Sequence, residues 1–173
     1  MTLTVLLVIL LTGSVYTDLR QRVIKNILVF PIAFLALALH TFTDGMPGFL
    51  FGLKGLLVGL FMLFIPYLII GGLGEGDVKL MAAVGAITGP HFAMWAAFYA
   101  AMVGALIGIA ISIKEGRMKE VFSFTFNHSM YIAGKYLSGD FSKTEVDGGT
   151  TIPYAVAVAA GVLITGITLG WWA

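Results

Sequence analysis

The chain has 173 residues, of which 59% are hydrophobic and only 11% are charged, and its mean hydropathy is +0.98. Soluble domains carry about 25% charged residues, so this chain has too little polar surface for a soluble globular protein and too little charge for a disordered one. A net charge of +1 argues against nucleic acid as a partner, and the absence of cysteine excludes disulfides and thiolate metal sites.

Apolar runs separated by polar breaks predict an all-α polytopic membrane protein with about six transmembrane helices, since each needs about 20 apolar residues. Asp44, Gly45 and Pro47 predict a tight turn between the second and third runs. The fourth run predicts a short or half-spanning helix, because Gly89 and Pro90 end it after a rise of about 16 Å. In chain order the runs are 2–17, 27–43, 49–71, 78–88, 92–113 and 152–172.

The positive charges orient these helices. With the N-terminus outside, alternating spans place every Lys and Arg except Lys54 on the cytoplasmic side, as the positive-inside rule requires. The long loop 114–150 is then cytoplasmic, and its stretch 122–136 predicts an amphipathic segment on the membrane surface. Residues 3–11 have the apolar character of a signal-peptide core, but without a preceding basic residue they predict a retained helix. We expect residues 1–173 to form a single transmembrane domain.

Glycines recur at four-residue spacing and predict close helix packing inside the membrane. Homo-oligomerisation is the other use of such pairs, and the sequence leaves it open. The pairs are Gly48/Gly52, Gly55/Gly59, Gly85/Gly89, Gly104/Gly108 and Gly166/Gly170.

Two acidic residues stand out by their location. Asp18 ends the first predicted helix and Asp77 opens the fourth, so the topology places both carboxylates at one depth on one face of the membrane. Ionisable groups at a membrane boundary are costly and are functional candidates. Taken singly, each has a simpler explanation: Asp77 as a helix N-cap, and Asp18 as an ion-pair partner of Arg20 or Arg22.

Two carboxylates a few ångströms apart cannot both ionise cheaply, so they share one proton over a broad pH range. The ionised member can take a proton from water, while the protonated member hydrogen-bonds the carbonyl under attack. The pair therefore predicts amide hydrolysis without a metal or a covalent intermediate. The sequence does not indicate which aspartate is the base.

A glycine-rich turn precedes Asp77 and supports this hypothesis. We interpret Gly74 and Gly76, on either side of Glu75, as positions where a missing Cβ lets a substrate backbone approach and allows left-handed backbone angles. A phosphate-binding loop is excluded because Asp77 stands where the G-x-G-x-x-G pattern needs glycine, and no G-K-[ST] follows.

Other catalytic groups lack suitable spacing. His40, His91 and His128 are scattered without metal-ligand spacing, so we expect neither a metal nor a cofactor. Ser14 and Ser112 lie in apolar runs, where we expect their hydroxyls to bond the helix backbone.

The segment after Asp18 resembles the first motif of type IV prepilin peptidases. In that motif an aspartate is followed by a basic residue and by Ile-Pro-Asn, and Arg22, Ile24 and Asn26 occupy the matching places here. Lys25 stands where the family has proline, so we expect a less constrained turn after Asp18.

Two further segments resemble the same family. Residues 71–80 are similar to its G-x-G-D motif. Residues 152–161, which contain Pro153 and Tyr154, are similar to the Pro-Tyr segment that opens its last helix. The three motifs occur in the family's order, each at the boundary of a predicted span.

The resemblance implies a bacterial inner-membrane aspartic endopeptidase whose active site faces the cytoplasm. The six-span charge pattern predicts that both chain termini are periplasmic. The resemblance matches Asp18 and Asp77 to the catalytic aspartates, and Gly74 and Gly76 to glycines that shape the site. Substrates would be prepilin or pseudopilin precursors with a short basic leader. Larger members carry a four-cysteine zinc domain linked to N-methylation. Because this chain has no cysteine, we expect a peptidase-only form similar to those of Flp-type (tight-adherence) pili.

We expect other residues of these motifs to contact the substrate or the lipid bilayer. Glu75 would attract the basic leader together with the two aspartates. Lys79 would extend to lipid phosphates or stabilise the charge of the aspartates. Asn26, Pro153 and Tyr154 are further candidates for substrate binding.

Two other functions stay open at this point. A presenilin-like G-x-G-D protease shares only the stretch 74–77 and lacks the Asp18 motif. A small transporter or assembly subunit could use the aspartates as a proton relay, although relay acids belong near the bilayer middle or on both faces.

Overall fold

A computed structural model describes residues 2–70, 74–114, 116 and 154–171. This part of the chain is helical apart from short turns and contains no strand, which confirms the all-α fold there. The predicted loop 114–150 lies almost entirely outside the described residues, as does the segment 122–136. The helices are α1 (Thr2–Gln21), α2 (Asn26–Ile70), α3 (Glu75–Thr88), α4 (Pro90–Lys114) and α5 (Tyr154–Thr168).

Three helices of the described part are long and apolar enough to cross a membrane: Thr2–Gln21, Asn26–Leu68 and Pro90–Lys114. The helix α5 is apolar but has 15 residues, and α3 has 14. At 1.5 Å per residue they rise only about 21 to 23 Å. The six-span topology and the periplasmic termini therefore stay predictions.

The long helix α2 is a hairpin of two arms, 26–44 and 46–70, which correspond to the second and third predicted spans. Gly45 alone breaks the helix, with φ 65° and ψ −144°, angles that glycine adopts without steric cost. Beyond it the arms pack together: the rings of His40 and Phe51 have centroids 5.5 Å apart, and Gly52 lies beside Leu37. The predicted turn is thus confirmed.

The structure shifts several helix boundaries, and α1 continues to Gln21, four residues past the predicted 17. The fourth predicted helix begins at Glu75, three residues earlier than expected. At the other end, α5 stops at Thr168, short of the predicted 172. Gly170 there has a φ of 64°, and the Trp171 N–H bonds the carbonyl of Gly166 at 2.9 Å, a Schellman-type ending.

The helix α3 lies at the centre of the bundle, and its residues 80–88 are all buried. A Cβ at Gly55 would collide with the carbonyl oxygen of Gly85, and one at Gly85 with that of Gly55. A Cβ at Gly59 would likewise collide with the carbonyl of Met81. Close helix packing is therefore confirmed between α3 and the second arm of α2, whereas homo-oligomerisation stays a prediction.

Candidate active site

Asp18 lies in the last turn of α1 and is buried, with 7% of its surface exposed. Its Oδ2 accepts a hydrogen bond from the backbone N–H of Ala155 at 3.0 Å. Ala155 is the second residue of α5, where backbone N–H groups have no partner inside the helix. One carboxylate thus joins the first described helix to the last.

Asp77 lies in the first turn of α3 and is equally buried, at 7% exposure. It is the third residue of the helix rather than its N-cap, because Gly74 occupies the cap position. The Asp77 Oδ2 accepts the Gly74 N–H at 3.0 Å, and the Gly74 carbonyl accepts the Asp77 N–H at 3.1 Å. Asp77 therefore fixes the start of its own helix while its carboxylate faces a cleft.

Both aspartates line this cleft, which has a volume of about 320 Å³. The sequence prediction that two helices bring the carboxylates to one place is confirmed. The other lining residues come from the segment after α1 and from the start of α3: Arg22, Val23, Ile24, Asn26, Gly74, Glu75, Gly76 and Lys79.

The cleft makes Asp77 a weaker acid. Asp77 precedes the apolar run 78–88 and lies outside the three helices that are long and apolar enough to cross a membrane. The pKa of its carboxyl is raised from 3.8 to about 6: burial is the largest cause, the hydrogen bond from the Gly74 N–H opposes it, and the charge of Asp18 adds to it. Repulsion between the two carboxylates is expected of a pair that shares one proton.

The two glycines of the turn act differently from the prediction. Gly74 is extended, with φ −83° and ψ 148°, and Gly76 lies within the helix, so neither has the left-handed angles expected from the sequence. The reason is that α3 begins earlier than predicted. A Cβ on Gly76 would lie 3.0 Å from the Cβ of Ile24, so this glycine brings Ile24 against α3.

Three predicted substrate-binding residues, Asn26, Glu75 and Lys79, line the cleft. Glu75 is exposed, and its Oε1 accepts a long hydrogen bond of 3.5 Å from the Tyr67 hydroxyl. Tyr154 is half-buried at the start of α5 and is not among the cleft-lining residues. Pro153 lies outside the described residues.

Tyr154 packs between two helices, and its role in substrate binding stays a prediction. Its ring lies where a Cβ on Gly104 would have to go, so the missing side chain of that glycine lets α4 and α5 approach.

Sequence reasoning missed two contributors to the site. The Ala155 N–H is a backbone group, and only the start of α5 at the Pro-Tyr segment could have indicated it. Arg22 lines the cleft and has a φ of 54°, and its N–H bonds the Asp18 carbonyl at 2.9 Å. A non-glycine residue in this region is strained and is often found at functional sites.

The structure replaces part of the simpler explanation of Asp18 as an ion-pair partner of Arg20 or Arg22. The Arg20 guanidinium lies 5.1 Å from the centroid of the Tyr16 ring, and the Asp18 carboxylate bonds α5. Of the histidines, His40 bonds the carbonyl of Ile87 at 3.1 Å, and His128 lies outside the described residues. Among the described residues, no three His, Cys, Asp or Glu side chains group in a way that could hold a metal ion.

The two serines differ from each other. The Ser112 hydroxyl bonds the carbonyl of Gly108 at 2.7 Å, as predicted. The prediction is wrong for Ser14, whose buried hydroxyl bonds no backbone carbonyl in the described structure.

A model of the type IV leader peptidase family matches residues 5–109, which is more than half of the chain and includes both aspartates. The chain belongs to this family. The family resemblance drawn from the flanks of Asp18 and from the G-x-G-D stretch is thereby confirmed.

One curated relative of this chain is described as "Prepilin leader peptidase/N-methyltransferase" from Bacillus subtilis (strain 168). It is 36% identical over 104 residues, which cover 59% of this chain and 41% of the relative. The chain thus matches less than half the length of that protein. No solved structure matches the chain.

Proposed function

We propose that this protein is a membrane-embedded aspartic endopeptidase that removes the short basic leader from type IV pilin-like precursors. The observation that carries the proposal is the pair of buried carboxylates, Asp18 and Asp77, which come from different helices and line one cleft. Family membership supports the choice of substrate, since the curated relative is described as a prepilin leader peptidase.

In the proposed reaction the ionised aspartate accepts a proton from water as the water oxygen attacks the scissile carbonyl carbon. The protonated aspartate donates its hydrogen to the carbonyl oxygen, which gives a neutral gem-diol. Breakdown of this intermediate expels the amine with a returned proton and restores the pair. The raised pKa of Asp77, near 6, favours the proton-sharing state of the pair in which one carboxyl is protonated.

We further propose that the cleft faces the cytoplasm of a bacterial inner membrane that the chain crosses six times, with both termini periplasmic. The distribution of Lys and Arg supports this orientation. The α2 hairpin supports the predicted spans, because its two apolar arms supply the second and third of them.

The leader would bind at the mouth of the cleft. Exposed Glu75 supplies negative charge there, and Lys79 and Asn26 line the same space. Pro153 and Tyr154 would shape the site through the start of α5, whose Ala155 N–H bonds Asp18. We keep the Flp-type precursor as the proposed substrate, and we propose peptide cleavage as the activity of these 173 residues, which contain no cysteine for a four-cysteine zinc site.

The test is leader release from a precursor pilin by the purified protein in detergent. Asp18→Asn and Asp77→Asn should each lower the cleavage rate about 1000-fold or more, because each removes one proton-transfer group. The matched control is Asp44→Asn, since Asp44 lies in the α2 turn, where it accepts a hydrogen bond from Thr43 at 3.1 Å. Full activity in either cleft variant would contradict the two-carboxylate mechanism.

Two further measurements separate the alternatives. EDTA should leave cleavage unchanged, and a loss restored by a divalent ion would indicate metal chemistry instead. An intact precursor combined with aspartate-dependent proton movement in proteoliposomes would favour the proton relay.

A further inference from the structure

Ser14 is fully buried in α1, at 0% exposure, and its hydroxyl has no hydrogen-bond partner in the described structure. The other buried hydroxyls of the described residues, on Thr88, Ser112 and Thr165, each bond the carbonyl four residues earlier. Leaving a buried hydroxyl unpaired destabilises a fold. A group that can accept its hydrogen is therefore expected close by.

The nearest carboxylate along the helix is that of Asp18. Residues four apart lie on one helix face with Cβ atoms about 5–6 Å apart, and both Ser14 and Asp18 belong to the buried face of α1. Helical side chains lean toward the N-terminus, so the carboxylate of Asp18 leans over the turn that holds Ser14.

Asp18 has capacity for this second donor. An ionised carboxylate offers about four acceptor sites on its two oxygens, and Oδ2 uses one of them for the Ala155 N–H. Because the two side chains are neighbours on one helix face, we infer that a change of rotamer at Ser14 or Asp18 brings the hydroxyl to the carboxylate.

We propose that Ser14 is a positioning residue for Asp18, and that its hydroxyl donates a hydrogen bond to the ionised carboxylate during peptide cleavage. The inference rests on the proposed function. An O–H donor to a carboxylate makes a strong, short hydrogen bond. It would hold Asp18 in the orientation that receives the proton of the attacking water, with the Ala155 N–H on the other side.

Replacing Ser14 by alanine should separate catalysis from stability. The thermal midpoint should stay equal or rise, because an unpaired buried hydroxyl is removed. The turnover number should fall about tenfold with KM little changed, since a charge-assisted hydrogen bond is lost from the reacting pair.

The pH profile gives a readout that a purely structural role would not move. Loss of a donor to the aspartate pair disfavours its ionised form, so the acid limb of the kcat profile, which reports the pair, should shift to higher pH by about 0.5 to 1 unit. The ionisable groups around Asp18 are unchanged in this variant: Arg22, Glu75, Asp77 and Lys79 in the cleft, and Tyr154 at the start of α5.

The experiment compares S14A, S14C and S112A with the wild-type protein, by leader release between pH 4 and pH 9 and by thermal unfolding in the same detergent. S14C keeps a weak S–H donor and should lie between wild type and S14A. S112A is the matched control, because Ser112 is a buried serine on α4 that already bonds Gly108. It should keep the wild-type rate and pH profile.

The outcomes are distinguishable. Active wild type with an S14A variant of unchanged rate and pH profile would overturn the role of Ser14 and leave the proposed function intact. A rate loss that follows a lower thermal midpoint, with no shift of the acid limb, would also overturn it. An inactive wild type would overturn the proposed function and this inference together.

Discussion

The two ends of α3 are built in different ways. At its start Gly74 and Glu75 are exposed, and the buried carboxylate of Asp77 bonds the backbone and borders a cleft. At its end Ile87 is buried, and its carbonyl accepts a hydrogen bond from His40 of the α2 hairpin. The end of α3 is thus held by tight packing, whereas its start carries ionisable groups that border the cleft. Variants at the two ends should therefore have separable effects on stability and on chemistry.

The largest effect we expect concerns the pH dependence of stability at the cleft end. The pKa of Asp77 is about 6 in the folded protein and 3.8 as its ordinary value, so the folded state favours the protonated form. This contribution is fully present below 3.8 and is lost as the pH rises through about 6. The shift corresponds to a fall of up to about 3 kcal/mol in the free energy of unfolding.

Thermal unfolding in detergent between pH 4 and pH 7 measures this fall. Asp77→Asn should remove most of it and be more stable than wild type at pH 7, because the amide stays neutral. Asp44→Asn should retain the fall. If the midpoint of Asp77→Asn followed the wild-type curve at every pH, another group would be responsible for the dependence.

The packed face of α3 should respond to added volume rather than to pH. Gly55→Ala places a methyl group on the Gly85 carbonyl, so two backbones must separate. We expect a loss of about 2 kcal/mol in the free energy of unfolding, as for other overpacked cores. Chemical denaturation or the thermal midpoint measures it.

Gly13→Ala is the matched control for this substitution. The new methyl group there would meet only the end of the Leu28 side chain, at 2.7 Å, and this flexible group can move. The variant should be neutral or slightly stabilising, because alanine favours the helix over glycine. Equal losses at Gly13 and Gly55 would indicate that backbone contact with Gly85 is not what makes the second site sensitive.

The sequence predicted the helices well where apolar runs and breakers agree. Gly45 and Gly89 mark real interruptions, since each has a positive φ at a helix boundary or kink. The start of α3 was placed three residues late because Glu75 and Gly76 are polar or flexible and do not extend an apolar run. A capping interaction, the Gly74 N–H to the Asp77 carboxylate, holds these residues in the helix instead.

The meeting of Asp18 and Asp77 in one cleft was also predictable, because topology places both at one membrane face. The partners of Asp18 were not. The Ala155 N–H lies 137 residues away along the chain and has no side-chain signature. Likewise Ser14 was expected to bond its own helix, since nothing in an apolar run shows that a hydroxyl will be left unpaired.

The far end of α3 offers a smaller test of stability. His40→Phe keeps a ring against Phe51 but removes the N–H that bonds the buried Ile87 carbonyl. We expect a loss of about 1.5 kcal/mol in the free energy of unfolding, with the pH profile of cleavage unchanged, because a buried acceptor loses its donor. His91→Phe is the control, since His91 is exposed. A shifted pH profile in His40→Phe would mean that the two ends of α3 are coupled.

The smallest effect should come from exposed charge at the mouth of the cleft. Glu75 and Lys79 lie one turn apart on α3, and both line the cleft. Because their charges are opposite, substituting each in turn tests the same electrostatic effect with opposite signs. Glu75→Gln should raise KM for a basic-leader precursor about threefold at low salt, and Lys79→Gln should lower it by a similar factor. Both effects should vanish in about 1 M salt, because the Debye length falls to about 3 Å.

This last measurement is informative because the two substitutions should change KM in opposite directions. If Glu75 acted by shaping the turn, through its bond with Tyr67 for example, the change in KM would persist at high salt and would not be mirrored at Lys79. If both substitutions raised KM, contact with the precursor rather than its charge would explain them. Opposite, salt-sensitive shifts with kcat unchanged would instead show that the exposed start of α3 recruits a cationic segment, while the buried pair beneath it does the chemistry.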